Sequence, residues 1–307
     1  MEIAFFTEAG FIGKTPRSNQ NMRTEYAWYT ALEADHYNIH SGNIDKEYDL
    51  GIIIIPKKNP EFNLNRIKNQ CKQTASMQEG PHWYWQDYPL EQQIWFYNIL
   101  QEMDFLFAHN NIDKKYYEGL TGKACHVMPS LMIEDSIKDL PEVDRSGVMI
   151  GGNFCQWYGG FDSYITAQEF GTGIFVPSMG RKIEGEESIP VLNHLPYMNW
   201  VEWIHELNKR KYAVHLMRTH AAGTFALNCA YLGIPCIGYK GLDTQEVCHP
   251  DTTIEVGDIT KAKQIAEKLR NDEEFYLYCS NKAKNNYKEL YHEDKFNTTF
   301  QEQFKVS

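Results

Sequence analysis

Two short segments carry residue types suited to phosphate binding, and each follows an apolar run typical of a buried strand. Residues 151–153 (GGN) come directly after 148–150 (VMI), and residues 218–224 (RTHAAGT) follow 212–217. Glycine-rich turns and helix N-termini offer free backbone N–H groups to phosphate oxygens. Ordinary tight turns and helix caps use the same residue types, so both interpretations stay open. The ligand-binding candidates are Gly151, Gly152, Asn153, Arg218, His220, Gly223 and Thr224.

A basic pair follows another strand-like run, at residues 174–176 (IFV). Arg181 and Lys182 come shortly after this run, and Gly180 before them permits close backbone approach. Arginine suits bidentate contacts with phosphate, whereas lysine offers a point charge. The pair therefore indicates either a phosphate contact or a solvated basic loop.

Acids and a histidine follow two strand-like runs of the first half. Glu8 comes after residues 3–6, and Glu79 and His82 come after residues 73–78. In open α/β sheets, ligands bind at the carboxyl ends of the strands, where such groups can take a proton from a substrate hydroxyl. These three residues are therefore the candidate bases, with Glu79 favoured for its strand-end position. A cap or turn acid and a loop histidine are the structural alternatives.

An aromatic run occupies residues 82–88 (HWYWQDY). Trp83, Tyr84 and Trp85 are consecutive, so they cannot all face one core. Aromatic rings stack on sugars and on nucleobases, and they also anchor loops against a neighbouring domain. We predict that these three residues, together with Trp157, bind the second substrate.

The elements that must position these residues alternate along the whole chain. Short apolar runs, such as 49–55, are separated by helical segments such as 90–103, an order typical of parallel sheets covered on both faces. A polar, acidic stretch at 133–145 interrupts the pattern, which then restarts. The sequence therefore predicts an α/β protein of two lobes joined by a linker.

The second half resembles the nucleotide-binding lobe of the glycosyltransferase group 1 family, which has the GT-B fold. The resemblance lies in residues 148–167, 174–182, 252–270 and above all 223–238 (GTFALNCAYLGIPCIG), with a weaker match at 104–120 and 123–130. It implies two Rossmann-like lobes with a donor cleft between them. The acceptor lobe would comprise residues 1–140 and the nucleotide-sugar lobe 146–275. A helical tail, 276–307, would cross back to the first lobe.

The resemblance also implies chemistry. The expected donor is a nucleotide sugar, with a UDP-sugar favoured, and neither a bound cofactor nor a metal ion is expected. Glu246 matches loosely an acid that contacts donor hydroxyls. Retaining members carry two glutamates eight positions apart, whereas this chain has His220 and Asn228 there. We therefore leave the anomeric outcome open.

The acceptor has two main candidates. One is a hydroxymethylated pyrimidine in viral DNA, because the aromatic run could stack on an extruded base. The other is a surface glycan or lipid-linked saccharide. A non-catalytic nucleotide-sugar-binding module is a third interpretation, motivated by His220 and Asn228, and a sugar-nucleotide epimerase is a fourth.

Composition limits these options. The 307 residues, 42% hydrophobic and 14% aromatic, suffice for two cores, and the net charge of -11 disfavours a surface built throughout for polyanions. Seven scattered cysteines without CxxC spacing indicate a reducing compartment. With no leader-like or membrane-spanning run, we expect a cytoplasmic protein, in the host cytoplasm if it is viral, without membrane insertion.

Overall fold

The structure is a computed structural model that describes residues 1–9, 13–40, 43–56, 61–155, 157–178, 183–189 and 191–304. Within these residues, the first half forms one parallel sheet in the order β2-β1-β3-β4-β5-β6. Its strands are β1 (Ile3–Thr7), β2 (Asp35–Asn38), β3 (Tyr48–Ile53), β4 (Cys71–Met77), β5 (Phe105–Ala108) and β6 (Cys125–Val127). The order reverses between β1 and β3, which creates a crevice at their carboxyl ends.

The second half forms another parallel sheet, in the order β12-β11-β10-β7-β8-β9. Its described strands are β7 (Val148–Ile150), β8 (Ile174–Val176), β9 (Leu192–His194), β10 (Tyr212–His215), β11 (Cys236–Tyr239) and β12 (Thr253–Ile254). Counted within this half, the order is the 3-2-1-4-5-6 of dinucleotide-binding Rossmann folds. Its switch point lies between β7 and β10.

Helices cover both sheets because the strands are apolar on both faces, as β1 is along its whole length. The first lobe contains α1 (Thr24–Ala31), α2 (Leu64–Lys68), α3 (Leu90–Glu102) and α4 (Asn111–Thr121). The second contains α5 (Gly160–Ala167), α6 (Trp200–Asn208), α7 (Thr224–Leu232), α8 (Asp243–Cys248), α9 (Ile259–Asn271) and α10 (Glu273–Leu290). None of these described helices is both long and apolar enough to cross a bilayer.

The last described helix, α11 (Glu293–Phe304), packs on the first lobe rather than on the second. The ring of Phe296 lies 5.4 Å from that of Trp28 in α1, and Phe300 stacks on Phe107 of β5 at 5.9 Å. These rings belong to a continuous apolar core that also includes residues of the second sheet, such as Met149. The chain thus crosses between the lobes twice, at residues 128–147 and between α10 and α11.

Candidate active site between the lobes

The carboxyl edges of the two sheets face one another across a cleft. Asn110, just after β5, donates from Nδ2 to the carbonyl oxygen of Ala221 at 3.2 Å. Ser130, after β6, donates from Oγ to the carbonyl oxygen of Ala222 at 2.8 Å. Residues 221 and 222 belong to the segment between β10 and α7, so both hydrogen bonds join strand-end segments of opposite lobes. Substrates bound at either sheet would therefore meet in this cleft.

The switch point of the second sheet forms a cavity of about 190 Å³. Gly151, which follows β7, and Thr224, the first residue of α7, both line it. A Cβ atom on Gly151 would lie 2.3 Å from the ring of His215 in β10, so no larger residue fits there without rearrangement. The structure thus brings two of the predicted phosphate-binding segments to one cavity.

The N-terminus of α7 is open to a ligand. Its N-cap, Gly223, has the left-handed φ of 70°, and among the described residues no side chain caps the helix. Instead, Thr244 donates from Oγ1 to the carbonyl oxygen of Gly223 at 3.0 Å. This bond holds the backbone in place where it enters α7. The first N–H groups of a helix have no partner within the helix, and they favour anions. An anion in the cavity would satisfy them.

Asn228 of α7 lines this cavity, as do Trp200 and Trp203 of α6. In the amide orientation that satisfies both neighbours, Nδ2 donates to the carbonyl oxygen of Thr224 and Oδ1 accepts from Nε1 of Trp203, both at 3.1 Å. A glutamate at this position would not reproduce the first of these bonds, because a carboxylate has no N–H to donate. The local hydrogen bonds therefore favour asparagine at position 228 over the glutamate that retaining members of the family carry there.

Of the three basic residues predicted to contact the donor, Arg218 alone lies within the described residues. Arg181 and Lys182 fall outside the described residues, because one described segment ends at Ser178 and the next begins at Ile183. Ser178 itself lines the cavity. Arg218 lines a separate groove, is 62% exposed, and pairs with Asp162 at 3.1 Å. The structure thus separates Arg218 from Thr224, although both were predicted donor contacts, and gives it a structural partner that the sequence did not indicate.

His220 and Glu246 meet at the turn after β11. Glu246 Oε1 accepts from the backbone N–H of Gly241 at 2.6 Å, and a Cβ on Gly241 would lie 2.2 Å from Nε2 of His220. Burial lowers the pKa of His220, against the opposing effect of Asp113 in the other lobe. The imidazole is thus neutral at neutral pH and half-buried in the cleft.

His82 is held by a buried carboxyl group from the same lobe. Its Nδ1 lies 2.8 Å from Oδ1 of Asp113, whose second oxygen accepts from Nδ2 of Asn110 at 2.9 Å. A carboxylate only accepts hydrogen bonds, so Nδ1 carries the hydrogen and Nε2 is left as the basic nitrogen. The ring also packs against Tyr116, with centroids 4.3 Å apart. This is the arrangement of an oriented general base.

Asp113 and Asn110 were missed by the sequence reasoning. They lie 31 and 28 positions from His82, a separation that carries no local signal. Asn110 could have been selected by its position, because it follows the end of a strand, as Glu79 and Glu8 do.

The two candidate glutamates lie at strand ends of the first lobe. Glu79 is half-buried after β4, and its charge opposes the lowering of the His109 pKa that burial causes. Glu8 is exposed after β1. Burial raises the pKa of Tyr84, and the charges of Glu79 and Glu8 add to this rise, so all three share one neighbourhood.

The aromatic run divides between the cleft and the core. Trp83 reaches across the cleft to Trp157 of the second lobe, with ring centroids 4.8 Å apart. Tyr84 and Trp85 are only 4% and 7% exposed, and Trp85 stacks on Phe96 of α3 at 5.1 Å. Their burial counts against the predicted contact of Tyr84 and Trp85 with an acceptor. Residues Tyr84–Asp87 form a 3-10 helical turn, which directs consecutive rings to different sides.

Comparison with known proteins identifies the fold. No protein-family model matches the chain, and no curated protein matches it in sequence. Among solved structures, Anabaena HepE in complex with UDP-glucose is similar with a TM-score of 0.65 and 11% identity, over 100% of both chains. An alpha-glucosyltransferase in complex with UDP-glucose and DNA containing an abasic site gives 0.64 and 12%, over 100% of this chain and 99% of that one.

S. aureus TarM is similar with a TM-score of 0.62 and 9% identity. The match covers 84% of this chain but only 55% of TarM, so the chain spans about half the length of that protein. At such low identities the likeness establishes the fold alone. Together with the two parallel sheets, it shows that the chain has the GT-B architecture expected from the sequence.

Proposed function

We propose that the chain is a glycosyltransferase that moves a sugar from a nucleotide-sugar donor, most simply a UDP-sugar, to an acceptor hydroxyl. One observation carries the proposal. Gly151 and the open N-terminus of α7 line one cavity at the Rossmann switch point, and His220, in the segment that leads into α7, lies close enough to His82 and Asp113 of the first lobe for their charges to interact. The UDP-glucose held by two structures of the same fold supports this choice of donor.

The donor diphosphate would occupy the cavity between Gly151 and Thr224. When the bond between the anomeric carbon and the phosphate oxygen breaks, negative charge grows on the leaving UDP. Backbone N–H groups of residues 151–153 and of the first turn of α7 would stabilise that charge. We propose that Arg181 and Lys182 add positive charge from the segment after β8, and that His220 and Glu246 contact hydroxyls of the donor sugar.

His82 would act as the general base. Its Nε2 accepts the proton of the acceptor hydroxyl, while the hydroxyl oxygen attacks the anomeric carbon and the electron pair of the broken bond leaves with UDP. Asp113 holds the imidazole in the required tautomer and stabilises the imidazolium that forms. This role requires inversion at the anomeric carbon. Glu79 and Glu8, at neighbouring strand ends, are the alternative bases.

The acceptor has two candidates, each favoured by a different observation. Hydroxymethylated pyrimidines in DNA are favoured by the likeness to the alpha-glucosyltransferase, whose complex includes DNA. A saccharide is favoured by the aromatic and acidic side chains of the groove that Trp83 and Asp87 line.

Donor turnover tests the proposal. Purified protein is incubated with UDP-, GDP- and TDP-sugars, and release of the nucleoside diphosphate is measured with hydroxymethylated DNA, unmodified DNA and saccharides. We expect turnover of one donor that persists in a chelator, as the resemblance to the glycosyltransferase group 1 family implies. Binding of a donor without turnover would instead support a non-catalytic binding module, and no binding of any donor would overturn the proposal.

Arg181 offers a narrower test of the donor site. We expect Arg181→Ala to weaken UDP-glucose binding about tenfold or more, because a charge-assisted hydrogen bond to phosphate is lost. Calorimetry measures the dissociation constant, and Lys138→Ala, an exposed change in the linker, is the control. An unchanged dissociation constant would remove Arg181 from the donor site.

A further inference from the structure

A second cavity, distinct from the proposed donor cavity, is lined by Trp83, the residue that follows His82 in the chain. It is a groove of about 500 Å³ that both lobes line. Trp83 and Asp87 come from the first lobe, and Trp157, Phe161 and Arg218 come from the second. Trp83 directly follows His82 in the chain, and Thr219, another lining residue, directly precedes His220, so backbone segments that carry two candidate site residues border the groove. Its volume falls in the range of about 300–1,000 Å³ typical of small-molecule sites.

We propose that this groove binds a neutral saccharide acceptor. The inference rests on the proposed glycosyltransferase function and narrows its acceptor to one chemical class. It depends on three properties of the groove, namely its aromatic walls, its charge balance and its acidic hydrogen-bond acceptors.

The walls of the groove expose aromatic surface to solvent. Phe161, in the first turn of α5, is 61% exposed, and Trp83 and Trp157 are both half-buried. Large exposed apolar side chains that cluster in a concave surface mark a binding site. The apolar C–H face of a sugar ring packs on such rings, which also accept the flat face of a nucleobase. The aromatic residues therefore indicate a ring-shaped ligand without distinguishing these two classes.

The charges of the groove distinguish them. Among the described lining residues the one cation, Arg218, is already compensated by Asp162, whose carboxylate also accepts from Oη of Tyr239 at 3.0 Å. Asp87 adds a second, exposed carboxylate, and within the described part of the chain no cation pairs with it. DNA carries one negative charge per ~1.7 Å of helix axis, and its binding sites supply cations to match. The described lining of this groove instead carries two carboxylates and one guanidinium.

Carboxylates suit an acceptor rich in hydroxyl groups. An ionised carboxylate offers two oxygens that accept hydrogen bonds, and hydrogen bonds to a charged acceptor are stronger than neutral ones. Asp87 and Asp162 can therefore each bind sugar hydroxyls while the rings contact the C–H faces. A phosphate group would be repelled by the same two side chains.

The substitution Asp87→Asn separates the two acceptor classes by the sign of its effect. Transfer from UDP-glucose is measured to methyl hexopyranosides and hexose oligosaccharides, and to hydroxymethylated DNA. For a saccharide acceptor we expect kcat/KM to fall about tenfold or more, because a charge-assisted hydrogen bond is lost. For a DNA acceptor kcat/KM would rise, because a repulsive charge is removed. Glu274→Gln makes the same charge change at an exposed site on α10 and should leave both rates unchanged.

Measuring UDP-glucose binding in the same samples distinguishes a failure of the saccharide groove from a failure of the proposed glycosyltransferase function. If UDP-glucose binds and saccharides are glycosylated with the expected fall for Asp87→Asn, the inference holds. If UDP-glucose binds but only DNA is glycosylated, or Asp87→Asn leaves saccharide transfer unchanged, the saccharide groove is wrong while the transferase proposal survives. If no nucleotide sugar binds, the proposed function fails first. Phe161→Ala should weaken saccharide transfer too, and Leu277→Ala, an exposed apolar position on α10, is its control.

Discussion

The reactivity we assign to His82 depends on two residues far from it in the chain. Asp113 fixes the hydrogen on Nδ1, and Asn110 holds the second oxygen of the same carboxyl group. Asn110 also bonds across the cleft to Ala221. The orientation of the base is thus tied to the contact between the lobes.

At this scale we predict that Asp113→Asn lowers the rate of sugar transfer by about 10²–10⁴, since an amide does not favour the Nδ1 tautomer. UDP-glucose should bind with an unchanged dissociation constant, because Asp113 is not among the residues that line the donor cavity. Transfer rates across pH and calorimetry measure the two effects, with His40→Gln, an exposed histidine, as the control. A full transfer rate in Asp113→Asn would show that His82 is not the base.

Individual residues could be selected from the sequence where their position in an element was informative. Gly151 and Thr224 were chosen because each follows a strand, and the structure places them in one cavity. Tyr84 and Trp85 were assigned to the acceptor because composition alone does not show which way a 3-10 turn directs its rings. Asp113 was missed because its contact with His82 forms only after the sheet has assembled.

Helix α11 joins the end of the described chain to the first lobe. Phe296 and Phe300 are almost completely buried, and their rings pack on Trp28 and Phe107. Arg17 reinforces the attachment through ion pairs with Glu293 of α11 and with Asp135 of the crossing between the lobes. Exposed pairs of this kind contribute little to stability, so the rings dominate the attachment.

We predict that Phe300→Ala lowers the free energy of unfolding by about 3–5 kcal/mol, because it leaves a cavity between α11 and β5. Urea unfolding followed by tryptophan fluorescence measures this change. Thr298→Ala, at an exposed position of the same helix, should change stability by less than about 0.5 kcal/mol. Equal effects of the two substitutions would mean that α11 does not depend on this packing.

Elements were predictable where burial on both faces gives continuous apolar runs, as in β1, β3 and β5. Four elements were missed, namely β2, α4, β9 and α8. The missed strand β2 reads Asp-His-Tyr-Asn, because edge positions need no apolar run, and α8 is too short to show helical spacing. In α3 the helix was predicted correctly, but Leu90 and Ile94 are exposed and the buried face contains Phe96, Ile99 and Leu100.

The described part of the molecule buries four histidines, His36, His109, His215 and His249, and burial lowers the pKa of each. Burial lowers the pKa of His36, His215 and His249 to about 4. At His249 the hydrogen bonds fit a neutral ring that burial favours, because Nε2 donates to the carbonyl oxygen of Ala226 and Nδ1 accepts from the N–H of Cys236. In the unfolded chain the same side chains titrate near 6.5.

We therefore predict that stability falls as the pH drops from about 6.5 to about 4. In that window the unfolded chain binds up to four protons that the folded chain does not, so the free energy of unfolding rises with pH. Each proton corresponds to about 1.4 kcal/mol per pH unit. Urea unfolding at a series of pH values measures the slope, and His249→Gln should reduce it by about one proton. A flat profile would contradict the prediction.

The late position of α11 has a consequence for synthesis on the ribosome. The strand that it covers, β5, ends at Ala108, whereas the helix ends at Phe304. At ~5–20 residues per second, roughly 10–40 s separate their translation. During that interval Trp28 and Phe107 lack their covering helix, so the nascent first lobe presents an apolar face that chaperones can bind. We expect chaperones to be released from the new chain when α11 packs on this face.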